Sequence, residues 1–305
     1  MNQAYTSTVQ LLLAIAPAIF ETPLFALKGG TALNLFVQDL PRVSVDIDVV
    51  FLPHDIDRDD ALQAIKDELA AAKTRIQSMG FVAEVRQNKA GDEAKMFVSD
   101  NTSEVKVEVN YVSRGTVLTP IRSSLTAAAQ ALFAANIELP MLAIPELYGS
   151  KLVAAMDRQH PRDLFDVQQM FDRFGMPPAF VDCFVVYLAS HNRPVHEVLF
   201  AQLQPLAQVF TSEFVGMTAA PVTLEQLEAT RVRLFESLPK ALTPAHRNFL
   251  LSLVQADPDW SEMAFAHLRE LPAIRWKLMN LAKLKKNNPK RFVQQHDELA
   301  ARFFD

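Results

Sequence analysis

Cysteine is almost missing from this chain: Cys183 is the only one among 305 residues. No disulfide can close within the chain, which fits a reducing cytoplasmic setting and excludes small disulfide-stapled scaffolds. Its neighbours Val181, Phe184 and Val185 mark the thiol as a small buried hydrophobe rather than a nucleophile. Positive charge also falls short, giving a formal net charge of −5. The molecule as a whole is therefore no generic polyanion binder, and any nucleic-acid contact must use a local patch. Low-complexity tracts, repeats and membrane-length apolar runs are absent. The run from Leu11 to Phe20 follows no basic residue, precedes Glu21 and is too short for a bilayer, so it reads as a buried amphipathic helix rather than a secretion signal. The histidines show no ligand pattern. His191 and His196 are five apart, poor spacing for one helical face, and neither a zinc site nor a Ser-His-Asp arrangement can be picked out.

Glycine is scarce, with 8 residues, yet Gly29 and Gly30 are adjacent. The apolar run Pro23–Leu27 leads into the pair, and the helix-forming run Ala32–Phe36 leads out. That pattern predicts strand, tight turn, helix, a geometry that brings backbone N–H groups close to a phosphate. Downstream, Val43, Val45, Ile47 and Val49 alternate with Ser44, Asp46 and Asp48. One face of this strand can pack on a core while two carboxylates point together on the other. Adjacent like charges repel unless a cation lies between them, and Mg²⁺ is usual where a phosphate completes its shell.

Further along, Asp55–Ser78 reads as a helix opened by acids that suit its dipole. Asp55-Ile56-Asp57 repeats the Asp-x-Asp spacing, but it opens a helix, so capping is the better reading there. Strands are expected at Phe81–Gln87 and Ala94–Val98, with a turn at Ala90-Gly91-Asp92. Glu104–Val112 alternates cleanly, with Val105, Val107, Val109 and Tyr111 on one face and Lys106, Glu108 and Asn110 on the other. Helices follow at Leu125–Ala135, Ile144–Arg158 and Pro161–Phe174, the last stopped by Gly175-Met176-Pro177-Pro178. Prolines break the remainder into several short helices, expected to form a bundle. The resulting expectation is an α+β chain with two domains, 1–175 and 176–305. Within the second, Arg275, Lys277, Lys283, Lys285, Lys286, Lys290 and Arg291 form a run without an intervening acid. It reads either as a solvated face or, with Trp276 inside it, as an RNA-backbone or partner contact.

The blocks Lys28-Gly29-Gly30-Thr31-Ala32-Leu33 and Ser44-Val45-Asp46-Ile47-Asp48 resemble the nucleotidyltransferase signature of the polymerase-beta superfamily, and more closely the AbiEii/AbiGii toxin family. Thr31 stands where many superfamily members have Ser, and its distance to Asp46 is long. A second block, Glu146–Arg158 followed by Pro161-Arg162-Asp163-Leu164-Phe165-Asp166, resembles that family's later motif of a lysine and an arginine on one helix and then Arg-Asp-x-x-Asp. Taken alone, Arg162, Asp163 and Asp166 would be a charged helix start. His160-Pro161-Arg162-Asp163 is superficially similar to a kinase catalytic loop, but no Gly-rich loop or Asp-Phe-Gly accompanies it.

The resemblance implies a nucleotidyltransferase-fold mixed sheet flanked by helices, followed by a C-terminal helical bundle. It implies that Asp46, Asp48 and Glu108, the last from a neighbouring strand, hold Mg²⁺ or Mn²⁺. Gly29, Gly30 and Thr31 would bind the phosphates of an NTP, with Lys28, Arg42, Ser44, Arg158, Arg162 and Asp166 around the nucleotide. Lys151 would neutralise the triphosphate, and Asp163 would either position Lys151 or take the acceptor's proton. The implied activity is transfer of a nucleoside monophosphate to an acceptor hydroxyl, the 3′ end of tRNA in related toxins, opposed by a cognate antitoxin encoded by a neighbouring gene. The rivals are nucleotidylation of a protein or small molecule, and a non-catalytic nucleotide-binding regulator.

Overall fold

The structure is a computed structural model, and it describes residues 3–87 and 93–304. Helix α1 (Gln3–Ile19) precedes strand β1 (Phe25–Lys28), a single turn α2 (Gly29–Thr31) and a π-helical stretch, Ala32–Val37. Strand β2 (Asp46–Phe51), helix α3 (Arg58–Ser78) and strands β3 (Val82–Gln87), β4 (Glu93–Ser99) and β5 (Glu104–Asn110) follow. Strand β6 (Ile121–Ser124), helix α4 (Ala127–Phe133) and strand β7 (Glu138–Met141) complete a seven-stranded mixed sheet of order β3-β4-β5-β2-β1-β7-β6. The turn expected at 90–92 lies outside the described residues.

Alternation decides which face of the sheet is buried. Ile47, Val49, Val105, Val107 and Val109 are fully buried, and α1 and α3 pack against these and neighbouring strands. Each such aliphatic side chain contributes about 1.5–3 kcal/mol of burial free energy. The opposite face keeps Asp46, Asp48, Lys106 and Glu108 half-buried, as strand periodicity requires. The π-helical stretch replaces the ordinary helix expected after the glycines. Its six residues are all buried, and Gln38 N–H donates to the Leu33 carbonyl five residues back.

The remaining helices are α5 (Ile144–Arg158), α6 (Pro161–Phe174), α7 (Pro178–Ser190), α8 (Val195–Leu199), α9 (Ala207–Glu213), α10 (Leu224–Ala241), α11 (Pro244–Val254), α12 (Pro272–Asn287) and α13 (Pro289–Phe304). Among the described residues, none of the helices is long and apolar enough to cross a membrane. Capping residues account for several boundaries. Pro161 opens α6 behind His160, and Gly175, with φ 69°, ends it. Thr223 with Gln226 and Thr243 with His246 form capping boxes at α10 and α11.

Contacts divide the chain into two compact units, Met1–Leu147 with Val215–Pro221, and Tyr148–Phe214 with Val222–Asp305. The division falls inside α5, so the boundary expected at 175/176 lies within the second unit. Two features of that unit explain why α5 and α6 count with the later helices. Tyr148 stacks on Phe180, ring centres 5.0 Å apart. At Gly149, an added Cβ would lie 2.6 Å from Cys183 Cβ, so only glycine lets α5 and α7 come this close. Cys183 is wholly buried in that contact, as its apolar neighbours predict.

The second unit also buries a lysine. Lys277 Nζ donates to the carbonyls of His191 (2.8 Å) and Arg193 (2.6 Å). Burial pushes its ammonium from 10.5 down to about 8, against the opposing pull of the Glu197 charge. Above pH 8 the folded chain gives up this proton while the unfolded chain still holds it. Stability attributable to Lys277 therefore rises with pH through the window from 8 to 10.5. Lys277→Met is expected to abolish that rise, about 3 kcal/mol, read as the difference in denaturant midpoints between the two proteins at the two ends of the window.

Candidate active site

The glycine turn and β2 are built as one piece. Strands β1 and β2 pair antiparallel, which sets Lys28 opposite Asp48. Lys28 is extended, and the chain then reverses at Gly29, whose φ is 76°. An added Cβ at Gly29 would run into the Asp48 carboxylate. The position therefore needs glycine twice, for its backbone angle and for the space. Gly30 is crowded in a similar way. An added Cβ there would meet Arg42 Nη2 at 2.8 Å and Ser44 Oγ at 2.9 Å.

Thr31 is expected to offer its hydroxyl to a phosphate, but it is completely buried. Its Oγ1 bonds the Asp46 carbonyl and lies 3.0 Å from Ser44 Oγ. A hydroxyl has one proton, so Thr31 donates to the carbonyl and accepts from Ser44. Thr31 and Ser44 thus fasten the turn to β2. Arg42 is buried too, and its Nη1 donates to the Val43 carbonyl at 2.8 Å. Its backbone forms a bridge with Thr218, and Val43 N–H donates to the Met217 carbonyl at 2.9 Å. This return of residues 215–221 to the sheet unit carries no local signal in the sequence.

Strand β5 pairs parallel with β2, setting Lys106 opposite Asp46 and Glu108 opposite Asp48. Strand β4 pairs antiparallel with β5 and sets Lys95 opposite Glu108. The three expected carboxylates do share one face. They are not gathered as a ligand set: among the described residues, no three His, Cys, Asp or Glu side chains form a metal-holding group. Glu108 Oε1 instead contacts Lys95 Nζ at 2.8 Å and Lys106 Nζ at 3.1 Å, and Lys106 Nζ reaches Asp46 Oδ1 at 3.7 Å. The acid face is thus balanced by lysines. Partial burial raises the Glu108 carboxyl pKa, but hydrogen bonds from Lys95 and Lys106 outweigh it and hold the group below its ordinary value. Burial likewise lowers Lys106, while its hydrogen bond to Glu108 and the Asp46 charge carry it above its ordinary value. Lys106 could be seen on this face from alternation alone. Lys95 could not, because register between strands is not written locally.

Hard oxygen donors on alternate residues of one strand suit a divalent cation at Asp46 and Asp48. Glu108, opposite Asp48 on β5, meets both lysines through one carboxylate oxygen, Oε1.

The second block forms its own cluster in the helical unit. Lys151 on α5 is buried, and its Nζ contacts Asp163 Oδ1 at 2.9 Å and Asp166 Oδ2 at 3.0 Å, both on α6. Arg158 Nη2 takes the other Asp163 oxygen at 2.8 Å. Two cations and two carboxylates balance there. The half-buried Arg162 donates its backbone N–H to His160 Nδ1 at 3.1 Å.

Gly29→Ala is expected to destabilise the protein by about 1–2 kcal/mol from the left-handed backbone alone, with a further loss from displacing Asp48. A denaturation midpoint equal to the parent's would show that the turn relaxes freely.

Among solved structures, MenT4, a nucleotidyltransferase toxin from Mycobacterium tuberculosis H37Rv, matches with a TM-score of 0.61 and 17% identity, over 91% of this chain and 93% of that one. That likeness speaks for the fold. A search of curated proteins finds no match. The family model described as "Nucleotidyl transferase AbiEii toxin, Type IV TA system" matches residues 10–280, a span that takes in the glycine turn, the acidic strand face and the Lys151–Asp166 cluster. The chain belongs to the AbiEii family of nucleotidyltransferase toxins of type IV toxin–antitoxin systems.

Proposed function

We propose that this protein moves a nucleoside monophosphate from an NTP to the 3′ end of tRNA in the cytoplasm, releasing pyrophosphate and blocking translation. A cognate antitoxin, encoded by a neighbouring gene, is the expected protein partner. The observation that carries the reading is the close approach of the Gly29 turn to the Asp48 carboxylate, on the strand face that also bears Asp46.

Asp46 and Asp48 would hold Mg²⁺ or Mn²⁺, which when bound neutralises phosphate charge and lowers the pKa of the attacking hydroxyl. The Gly29 and Gly30 amides donate to phosphate oxygens, and Lys28, paired across from Asp48, adds a cation beside them. Thr31 and Ser44 act one step back, by holding the turn on β2. Arg42 supports Gly30 from beneath. Glu108 anchors Lys95 and Lys106. The acceptor hydroxyl attacks the α-phosphorus, and the bond to the β-phosphate oxygen breaks. Both Asp163 oxygens are engaged, which supports positioning of Lys151 over proton transfer. The contribution of Lys151 itself is tested by its own variant.

Incubation with each labelled NTP, purified tRNA and whole lysate tests the acceptor. Label is expected on tRNA, and label on protein alone would overturn that part of the proposal. Asp46→Ala, Asp48→Ala and Lys151→Ala are each expected to lower the transfer rate about a thousandfold, on the order of 4 kcal/mol of barrier. Full toxicity of Asp48→Ala in cells would favour a non-catalytic regulator instead. Lys106→Met removes the cation that leans on Asp46, so Mn²⁺ is expected to bind several-fold more tightly. Electron paramagnetic resonance titration without nucleotide reads this directly, and unchanged affinity would show that ammonium and metal do not compete.

A further inference from the structure

The chain is acidic overall, yet residues 272–291 carry seven cations and no acid. Lys277 is buried on carbonyls, and the other six are exposed. None of the six makes an ion pair among the described residues. Lys283 instead lies over the Trp276 ring at 5.9 Å and Lys285 over Phe292 at 5.4 Å, while Arg275 Nε donates to the Arg269 carbonyl at 3.2 Å.

Helical spacing arranges them. Ala273, Ile274, Lys277 and Leu281 form the buried side of α12. At 100° per residue, Arg275, Met279 and Lys286 fall together on the far side, with Trp276 and Lys283 immediately beside them. Trp276 is 42% exposed and Met279 49%. The stripe spans about 16 Å of helix axis, with cations at both ends and an aromatic face between. Lys290 and Arg291 continue the charge into the first turn of α13, where a helix start disfavours cations. Lys285 and Lys286, in the last turn of α12, suit that helix's dipole, while the helix-start placement is unfavourable in isolation and becomes favourable against a polyanion.

We infer that the α12 stripe and the first turn of α13 form an RNA docking surface. Phosphates meet Arg275, Lys283, Lys286 and Lys290, and an unpaired base stacks on Trp276. An exposed aromatic ring beside a lysine suits base stacking with phosphate contact. The inference rests on the proposed RNA acceptor, but the surface is independent of the metal and phosphate residues, so binding can be read without catalysis.

The test is fluorescence anisotropy with the full-length protein, without NTP or metal, using a labelled single-stranded RNA 24-mer and a labelled tRNA over a salt series. Lys283→Glu/Lys286→Glu is expected to weaken RNA binding at least tenfold. It should also flatten the salt dependence by about 1.4 in log–log slope, two phosphate contacts' worth. Trp276→Ala is expected to weaken RNA about fivefold while leaving binding of heparin, a polyanion without bases, unchanged. Asp48→Ala should bind RNA like the parent, so failed transfer with intact binding would count against the proposed activity and not against this surface. Unchanged RNA affinity and salt slope in the double variant would overturn the inference. So would equal loss of heparin and RNA on Trp276→Ala, or a double variant that loses only the cognate antitoxin.

Discussion

A glycine backbone pressed against a carboxylate is the constraint on which the sheet unit depends. Gly29 combines a left-handed backbone with a missing Cβ, and Asp48 occupies the space that a Cβ would fill. Because β1 and β2 pair antiparallel, the same close approach sets Lys28 across from Asp48. Thr31, Ser44 and the Asp46 carbonyl then lock the turn to the strand. Thr31 and Ser44 thereby hold the turn and the strand that carries Asp46 and Asp48 together as one piece.

The same strand face carries an electrostatic problem, and the structure answers it with lysines. Asp46, Asp48 and Glu108 on neighbouring strands would repel one another, so Lys106 and Lys95 stand among them. A divalent cation at Asp46 would have to contend with the Lys106 ammonium 3.7 Å away. Stability without metal and affinity for metal therefore pull in opposite directions at one side chain. Hydrogen bonds from Lys95 and Lys106 hold the Glu108 carboxyl below its ordinary pKa in spite of its partial burial.

What could be read from the sequence was local. Period-two alternation identifies the acid faces of β2 and β5 without coordinates, and proline, glycine and capping residues place α5 and α6 to the residue. The glycine pair marks its own turn. Register is a different matter. That β5 runs parallel to β2, and that β4 brings Lys95 to Glu108, depends on pairings between residues far apart in sequence. The inward hydroxyl of Thr31 and the return of residues 215–221 to Arg42 are equally non-local. The division into contact units falls inside α5 and not at 175/176, for a related reason. Proline and glycine at 175–178 mark where a helix stops, whereas a unit is defined by which helices pack together, and Gly149 against Cys183 commits α5 to the later ones.

The helical unit shows two opposite uses of charge. Lys151, Arg158, Asp163 and Asp166 form a balanced set whose members, Arg158 apart, are buried. Removing one partner leaves a buried charge without compensation, so such a set fixes geometry whatever else it does. Lys277 apart, which is buried on carbonyls, the cations of α12 are exposed and have no carboxylate partner among the described residues, so no ion pair of theirs holds the fold in place. Exposed unpaired charge adds little to stability at physiological salt. Its consequence is a local field, and a field of one sign on an otherwise acidic molecule selects what approaches that face.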